Sequence, residues 1–201
     1  MIDVKDLFKE ELVKEVATLD LEPFRASQIL DWVYKKRAVD FDAMTNLTAS
    51  AKAALKEKFY ISGLELIKEA SSKDGTIKFL LGLQDSQRIE SVFIPSNKTN
   101  TVCVSSQVGC KFACEFCASG KAGFVRNLRP AEIINQVLFI QAAHAVTNVV
   151  FMGMGEPLDN YDFVIKAVRL LNAPYGLGIG QRKITIHFDR GCCTRNKKTG
   201  G

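Results

Sequence analysis

Three cysteines, Cys110, Cys114 and Cys117, fall within eight residues directly after an apolar, strand-forming run. Three thiolates at the spacing C-x3-C-x2-C can wrap one small metal centre. Structural zinc takes four closed ligands in a tetrahedron, and a four-iron cluster usually takes four cysteines. A compact set of three leaves one metal position without a local ligand, where a substrate or cofactor can bind. Zinc, with Cys103 or His144 as fourth ligand, is the competing account. The other cysteines are Cys103, just upstream, and the adjacent pair Cys192 and Cys193. In a reducing compartment such clustering points to metal or catalytic thiols rather than bridges.

The pattern around this loop sets the fold class. Phe8, Leu12, Val16 and Leu19 recur at helical spacing. A second helix is expected over Phe24–Arg37 after Pro23, with Ile29, Trp32 and Val33 on its apolar side, and a third over Ala49–Phe59 with Thr48 as N-cap. Strands follow at Leu64–Lys68, Thr76–Leu83 and Arg88–Ile94, with Asp74-Gly75 as a hairpin turn. Then come a strand (Thr101–Ser105), the cysteine loop, a helix (Pro130–Ala143), a strand (Val149–Met152), a helix (Tyr161–Leu171) and a strand (Lys183–Ile186). Strand and helix in alternation imply an α/β fold with a parallel sheet and right-handed crossovers.

Composition narrows the class further. The chain has 201 residues, 47% hydrophobic and 24% charged, which suits a globular protein and excludes a disordered or collagen-like one. No run of about 18 apolar residues is present, so no membrane span is expected. Residues 1–16 do not read as a secretory signal, and a cytoplasmic location is expected. Residues 1–100 carry 15 basic and 16 acidic side chains, whereas residues 101–201 carry 12 and 6. The basic half is compatible with a polyanionic partner and equally with a solvated basic surface.

The residues also carry a family resemblance. C-x3-C-x-aromatic-C, with Phe116 as the aromatic, resembles the radical S-adenosylmethionine superfamily. Cys103-Val-Ser-Ser-Gln-Val-Gly-Cys110, Gly123-Phe124-x-Arg126-Asn127-Leu128 and Gly153-Met154-Gly155-Glu156-Pro157-Leu158 are similar to the RlmN-type 23S rRNA adenine C2-methyltransferases. Phe24-Arg25-Ala26-x-Gln28-Ile29-x-x-Trp32-Val33-Tyr34 and Met44-Thr45-Asn46-Leu47 are similar to that family's N-terminal accessory domain. The resemblance implies a helical accessory, RNA-binding domain over 1–58, a small β connector over 59–95 and a radical SAM α/β barrel core over 96–186, here roughly its first half.

The resemblance also implies roles. Cys110, Cys114 and Cys117 would ligate a 4Fe–4S cluster, whose remaining iron takes the methionine moiety of S-adenosylmethionine. Gly155 and Glu156 would bind that cofactor; the competing account is a tight strand-to-helix turn. Cys103 would be a catalytic thiol that resolves a covalent enzyme–RNA adduct, and Glu90 a proton acceptor. The family carries its methyl group on a second, C-terminal cysteine, because adenine C2 is not nucleophilic. Lys111, Lys121, Arg126 and Arg129 would neutralise RNA phosphates and draw in a flipped adenine. The implied partners are 23S rRNA, tRNA as a second substrate, and an electron donor such as flavodoxin. Alternatives are a C8-methylating antibiotic-resistance relative and a non-catalytic metal-binding RNA module or inactive remnant.

After Ile186 the chain departs from the family, reading His187-Phe188-Asp189-Arg190-Gly191-Cys192-Cys193-Thr194. Codons for those residues, read from the second base of the first codon, permit Thr-Ser-Thr-Gly-Val-Val-Ala-Pro, close to the family's continuation. The expectation is an out-of-frame tail over 187–201 and no methyl-carrier cysteine, leaving a chain inactive toward RNA by itself.

Overall fold

Helical spacing near the N-terminus becomes three helices around one core. The structure, a computed structural model, describes residues 1–112, 114, 117–121 and 123–187. The chain opens with a short strand β1 (Ile2–Asp3) and a 3-10 turn (Val4–Asp6), followed by α1 (Lys9–Ala17), α2 (Phe24–Tyr34) and α3 (Ala49–Lys58). Helix starts are marked by side chains that take up otherwise unpaired amides. Glu11 accepts the Phe8 N–H at 2.7 Å, and Thr48 Oγ1 accepts that of Ala51 at 3.2 Å. Leu12, Val16, Ile29, Leu30, Met44 and Leu55 are fully buried between the helices, each stabilising the module by about 2 kcal/mol. The strand β2 (Phe59–Tyr60) then lies parallel to β1, bringing the two ends of the helical segment together.

The remainder builds a six-stranded mixed sheet and a separate two-stranded pair. The first strands of the large sheet are β3 (Glu65–Ser71), β4 (Ile77–Gly82), β5 (Arg88–Pro95) and β6 (Asn100–Cys103). After them come β7 (Gln107–Gly109), α4 (Ala118–Lys121), β8 (Phe124–Asn127), α5 (Pro130–Gln141), β9 (Asn148–Phe151), a 3-10 turn (Pro157–Asn160), α6 (Tyr161–Asn172) and β10 (Ile184–Ile186). The order across the large sheet is β10-β9-β6-β5-β4-β3. β6, β9 and β10 are parallel and are joined through α5 and α6, as the strand–helix alternation implies. β3, β4 and β5 extend the same sheet in antiparallel fashion. Strands β3 to β5 are therefore hydrogen-bonded continuously to the parallel strands across the β5–β6 pair, whereas β2 pairs with β1 in a separate sheet.

Register assigns the faces. Phe93 is opposite Val102 and Val92 is opposite Cys103, so alternate side chains of β5 and β6 fall on opposite sides. Phe79, Ser91, Phe93 and Val102 share the buried face beneath α5. There Phe79 meets Phe139 edge-on at 5.7 Å, and Ser91 donates to Gln136 at 2.7 Å. Glu90, Val92 and Cys103 share the other face. The N-terminal module is locked to α5 from its outer end: Asp6 accepts the Ala131 N–H at 2.8 Å and an Arg129 N–H at 3.1 Å. No helix among the described residues is long and apolar enough to cross a membrane. Of the expected tail, only His187 lies within the described residues.

Candidate cluster and cofactor site

The cysteine loop is held at its base by a strand pair that periodicity does not reveal. β7 and β8 are antiparallel, with Val108 opposite Arg126 and Gly109 opposite Phe124. The Cys110 N–H then donates to the Gly123 carbonyl at 3.0 Å. Gly109 makes this closure feasible. Its φ is +73°, and a Cβ built there would lie 1.6 Å from the Gly123 oxygen. Only glycine fits both the backbone angle and the close approach.

Cys110, Cys114 and Cys117 leave this clamp on one short loop, and none forms a disulfide. Burial pushes the Cys110 thiol above its ordinary range, partly countered by a backbone hydrogen bond at Phe112. Charge on Cys117, Cys114 and Glu156 pushes it further the same way. The three thiols and Glu156 therefore share one electrostatic neighbourhood. Among the described residues, no three His, Cys, Asp or Glu side chains are yet gathered at metal-ligand distance. Thiols give up their protons when they bind a metal cation. As a donor set, three soft sulfur ligands on a glycine-framed loop fit an iron–sulfur cluster.

The Gly153-Met154-Gly155-Glu156 turn follows β9 and packs against the strand segment leading into the loop. Ser106 and Gln107 donate backbone N–H groups to the Met154 carbonyl at 2.9 and 3.2 Å, and the Met154 N–H donates to Ser105 Oγ at 2.8 Å. Gly155 has φ +90°, and a Cβ there would sit 2.4 Å from Gln107 Cβ. The Glu156 N–H donates to Gln107 Oε1 at 3.0 Å, and its carboxylate accepts the Leu158 N–H at 3.3 Å. Glu156 thus caps the Pro157–Asn160 turn while its charge reaches Cys110.

Cys103 ends β6 and is buried; burial raises its thiol pKa, partly offset by a backbone hydrogen bond from Met152. Glu90 lies two residues from Val92, the partner of Cys103, and so falls on the same sheet face. Its half-exposed carboxylate pairs with Lys78 at 2.9 Å, while its carbonyl accepts the Ser105 hydroxyl at 2.6 Å. His144, considered as a zinc ligand, instead stacks on Phe93 at 4.3 Å, on the opposite face from Cys103.

Three of the four cations expected to meet phosphate are engaged within the protein. Arg126 binds Glu132 at 2.8 Å and Asp85 at 2.7 Å, Arg129 binds Asp6 at 3.1 Å, and Lys111 binds Asp159 at 2.8 Å. Arg126 and Arg129 fasten β8 and the N-terminal module to the start of α5. Lys121 is exposed at the end of α4.

Sequence reasoning did not single out the polar residues that assemble this site. Gln136, fully buried on α5, accepts the Ser105 N–H at 2.8 Å and donates to the Ser105 carbonyl at 3.0 Å. Asn160 donates to the Ser106 and Leu128 carbonyls at 2.8 and 2.9 Å. The available signal was Asn135-Gln136 inside the apolar run Ile133–Leu138, since buried amides are hydrogen-bonded.

Comparison with known proteins bears on the family. Residues 2–61 match the family model of the ribosomal RNA large subunit methyltransferase N-terminal domain, and residues 104–192 match that of the radical SAM superfamily. Along its length the chain is similar to the RlmN-type radical SAM methyltransferases. It is 46% identical to the dual-specificity RNA methyltransferase RlmN of Nitratiruptor sp., over all of this chain and 60% of that protein. With RlmN of Campylobacter fetus subsp. fetus the identity is 44%, again over all of this chain and 60% of the relative. The crystal structure of a radical SAM methyltransferase from Sphaerobacter thermophilus superposes with a TM-score of 0.84 at 39% identity, covering 92% of this chain and 56% of that one. The chain thus spans somewhat over half the length of these relatives. Its fold is the helical N-terminal module followed by part of the radical SAM α/β barrel.

Proposed function

We propose that this chain supplies the cluster- and cofactor-binding part of an RlmN-type activity that methylates C2 of adenosine in 23S rRNA and tRNA, in the cytoplasm, with electrons from a flavodoxin-like donor, and that it does not methylate RNA by itself. The observation that carries this reading is the packing of the Gly153–Glu156 turn against the strand that delivers Cys110, within a chain of RlmN-type sequence. Both RlmN relatives are named dual-specificity RNA methyltransferases.

In this reading Cys110, Cys114 and Cys117 hold the 4Fe–4S cluster, and Gly155 lets the cofactor approach the backbone. Glu156 accepts hydrogen bonds from the ammonium of S-adenosylmethionine. The bound cluster supplies the electron that cleaves the cofactor's sulfonium carbon–sulfur bond. Cys103 acts as the thiol that frees RNA from its covalent adduct with a methyl-carrying cysteine. Its raised pKa keeps it protonated until a base acts, and Glu90, on the same face, takes the substrate proton.

Anaerobic reconstitution with iron and sulfide tests this. The expected product is a brown, oxygen-sensitive protein that cleaves S-adenosylmethionine when reduced. Cys110→Ala, Cys114→Ala and Cys117→Ala lose the chromophore, whereas Cys103→Ala keeps it. Tightly held colourless zinc, or unchanged iron binding in the three ligand variants, refutes the reading. Methyladenosine formed in an rRNA fragment by the isolated chain would refute its inactivity, and chromatography against nucleoside standards separates the C2- and C8-methyl isomers, which share one mass.

A further inference from the structure

One carboxylate joins the cysteine loop to the cofactor turn. Lys111 directly follows Cys110, and its ammonium lies 2.8 Å from Asp159 Oδ2. The same oxygen accepts the Gln107 Nε2 hydrogen at 2.7 Å, and Nε2 also donates to Asn127 at 2.9 Å. At the other end of that amide, Gln107 Oε1 accepts the Glu156 N–H at 3.0 Å. Asp159 sits in the Pro157–Asn160 turn, where its own N–H donates to the Glu156 carbonyl at 3.1 Å.

We propose that Asp159 is a positioning residue that sets the register between the cluster-ligand loop and the cofactor-contacting turn, through Lys111 on one side and Gln107 on the other. The inference rests on the function proposed above. The physical argument is directional. Gln107 is completely buried, and its amide could be turned either way by shape alone. An ionised carboxylate is an acceptor only, so Asp159 requires Nε2 to face it. That leaves Oε1 facing the Glu156 N–H, which needs an acceptor. Flipping the amide would set oxygen against oxygen at Asp159 and donor against donor at Glu156. The charge that fixes Gln107 also anchors Lys111, so the loop carrying Cys110 and the backbone of Glu156 are referenced to one point. Lys111 additionally lies over the Phe124 ring at 4.6 Å, which ties the anchored loop to β8.

Asp159→Asn keeps the shape but removes the charge and the orientation rule. Lys111→Met keeps packing on Phe124 and cuts the loop side of the link, and Lys111→Arg restores the charge. Each variant of the 201-residue chain is reconstituted and assayed for iron and sulfide, S-adenosylmethionine affinity by equilibrium binding, and the change in the reduced-cluster electron paramagnetic resonance signal on adding the cofactor. Asp159→Asn and Lys111→Met are expected to load iron normally and to bind the cofactor about tenfold more weakly, as befits loss of one charge-assisted hydrogen bond. Their cofactor-induced signal spreads over more than one species, and Lys111→Arg recovers both affinity and signal. Wild-type affinity with a single wild-type signal in both variants overturns the proposal. If Asp159→Asn fails to load iron, Lys111→Met decides by the same readouts. A parent chain that assembles no cluster overturns the proposed function and this inference with it; a responsive parent with indifferent variants overturns only the inference.

Discussion

Replacing Gly109 by alanine perturbs the loop at its narrowest point. The new methyl carbon would stand 1.6 Å from the Gly123 oxygen, where non-bonded carbon and oxygen do not approach closer than 3.0 Å. The clash is with backbone, so no rotamer change relieves it, and β7 and β8 must move apart by more than an ångström. That movement breaks the 3.0 Å Cys110–Gly123 hydrogen bond, a loss of about 1 kcal/mol. Holding alanine at φ +73° costs roughly 1 to 2 kcal/mol more. The sum, on the order of 3 kcal/mol, is a substantial part of the 5–15 kcal/mol typical of a domain. Urea unfolding should show a lower midpoint, and hydrogen exchange at the Cys110 amide should quicken more than in the N-terminal helices. Iron uptake on reconstitution should fall, because the thiols lose their common frame. Unchanged stability with wild-type Cys110 amide protection would refute the steric reasoning.

Two further outcomes follow from buried charges. Glu132 accepts two Arg126 hydrogen bonds at 2.9 and 2.8 Å and the Arg129 N–H at 2.8 Å. Glu132→Gln should therefore destabilise the chain by about 1 to 2 kcal/mol, discounted for the partial exposure of Arg126; an unchanged urea midpoint counts against that pairing. Lys5, buried and hydrogen-bonded to the Ser62 carbonyl at 2.5 Å, is pushed down to about 8 by burial, against the partial support of Asp3 and Asp6. Above pH 8 the folded chain releases a proton that the unfolded chain keeps until about 10.5, so this group's contribution to stability rises across that window. The difference in urea midpoint between the parent and Lys5→Met should change over pH 8 to 10, and a pH-independent difference refutes it.

The elements themselves were largely readable in the order of residues. Thr48 caps α3, Phe24 begins α2, and strand alternates with helix from Asn100 to Ile186, because capping and apolar period act over a few positions. The three thiols were equally plain, since one loop carries all of them. The β7–β8 clamp was not, because its strands are too short to show a period and only the fold brings their backbones into register.

Charge shows the same division more sharply. Arg126 and Arg129 look like phosphate ligands as a string of cations near a cysteine loop. In three dimensions Glu132 and Asp6 claim them, the latter across more than a hundred residues of chain. Sequence alone carried the cysteine triad, most of the helices and strands and the family resemblance. Tertiary structure decided which polar groups meet, Gln136 with Ser105 and Asp159 with Gln107 and Lys111, and placed Cys103 and Glu90 on one sheet face. Those choices depend on desolvation and close approach between distant segments, and neither is encoded in the spacing of neighbours.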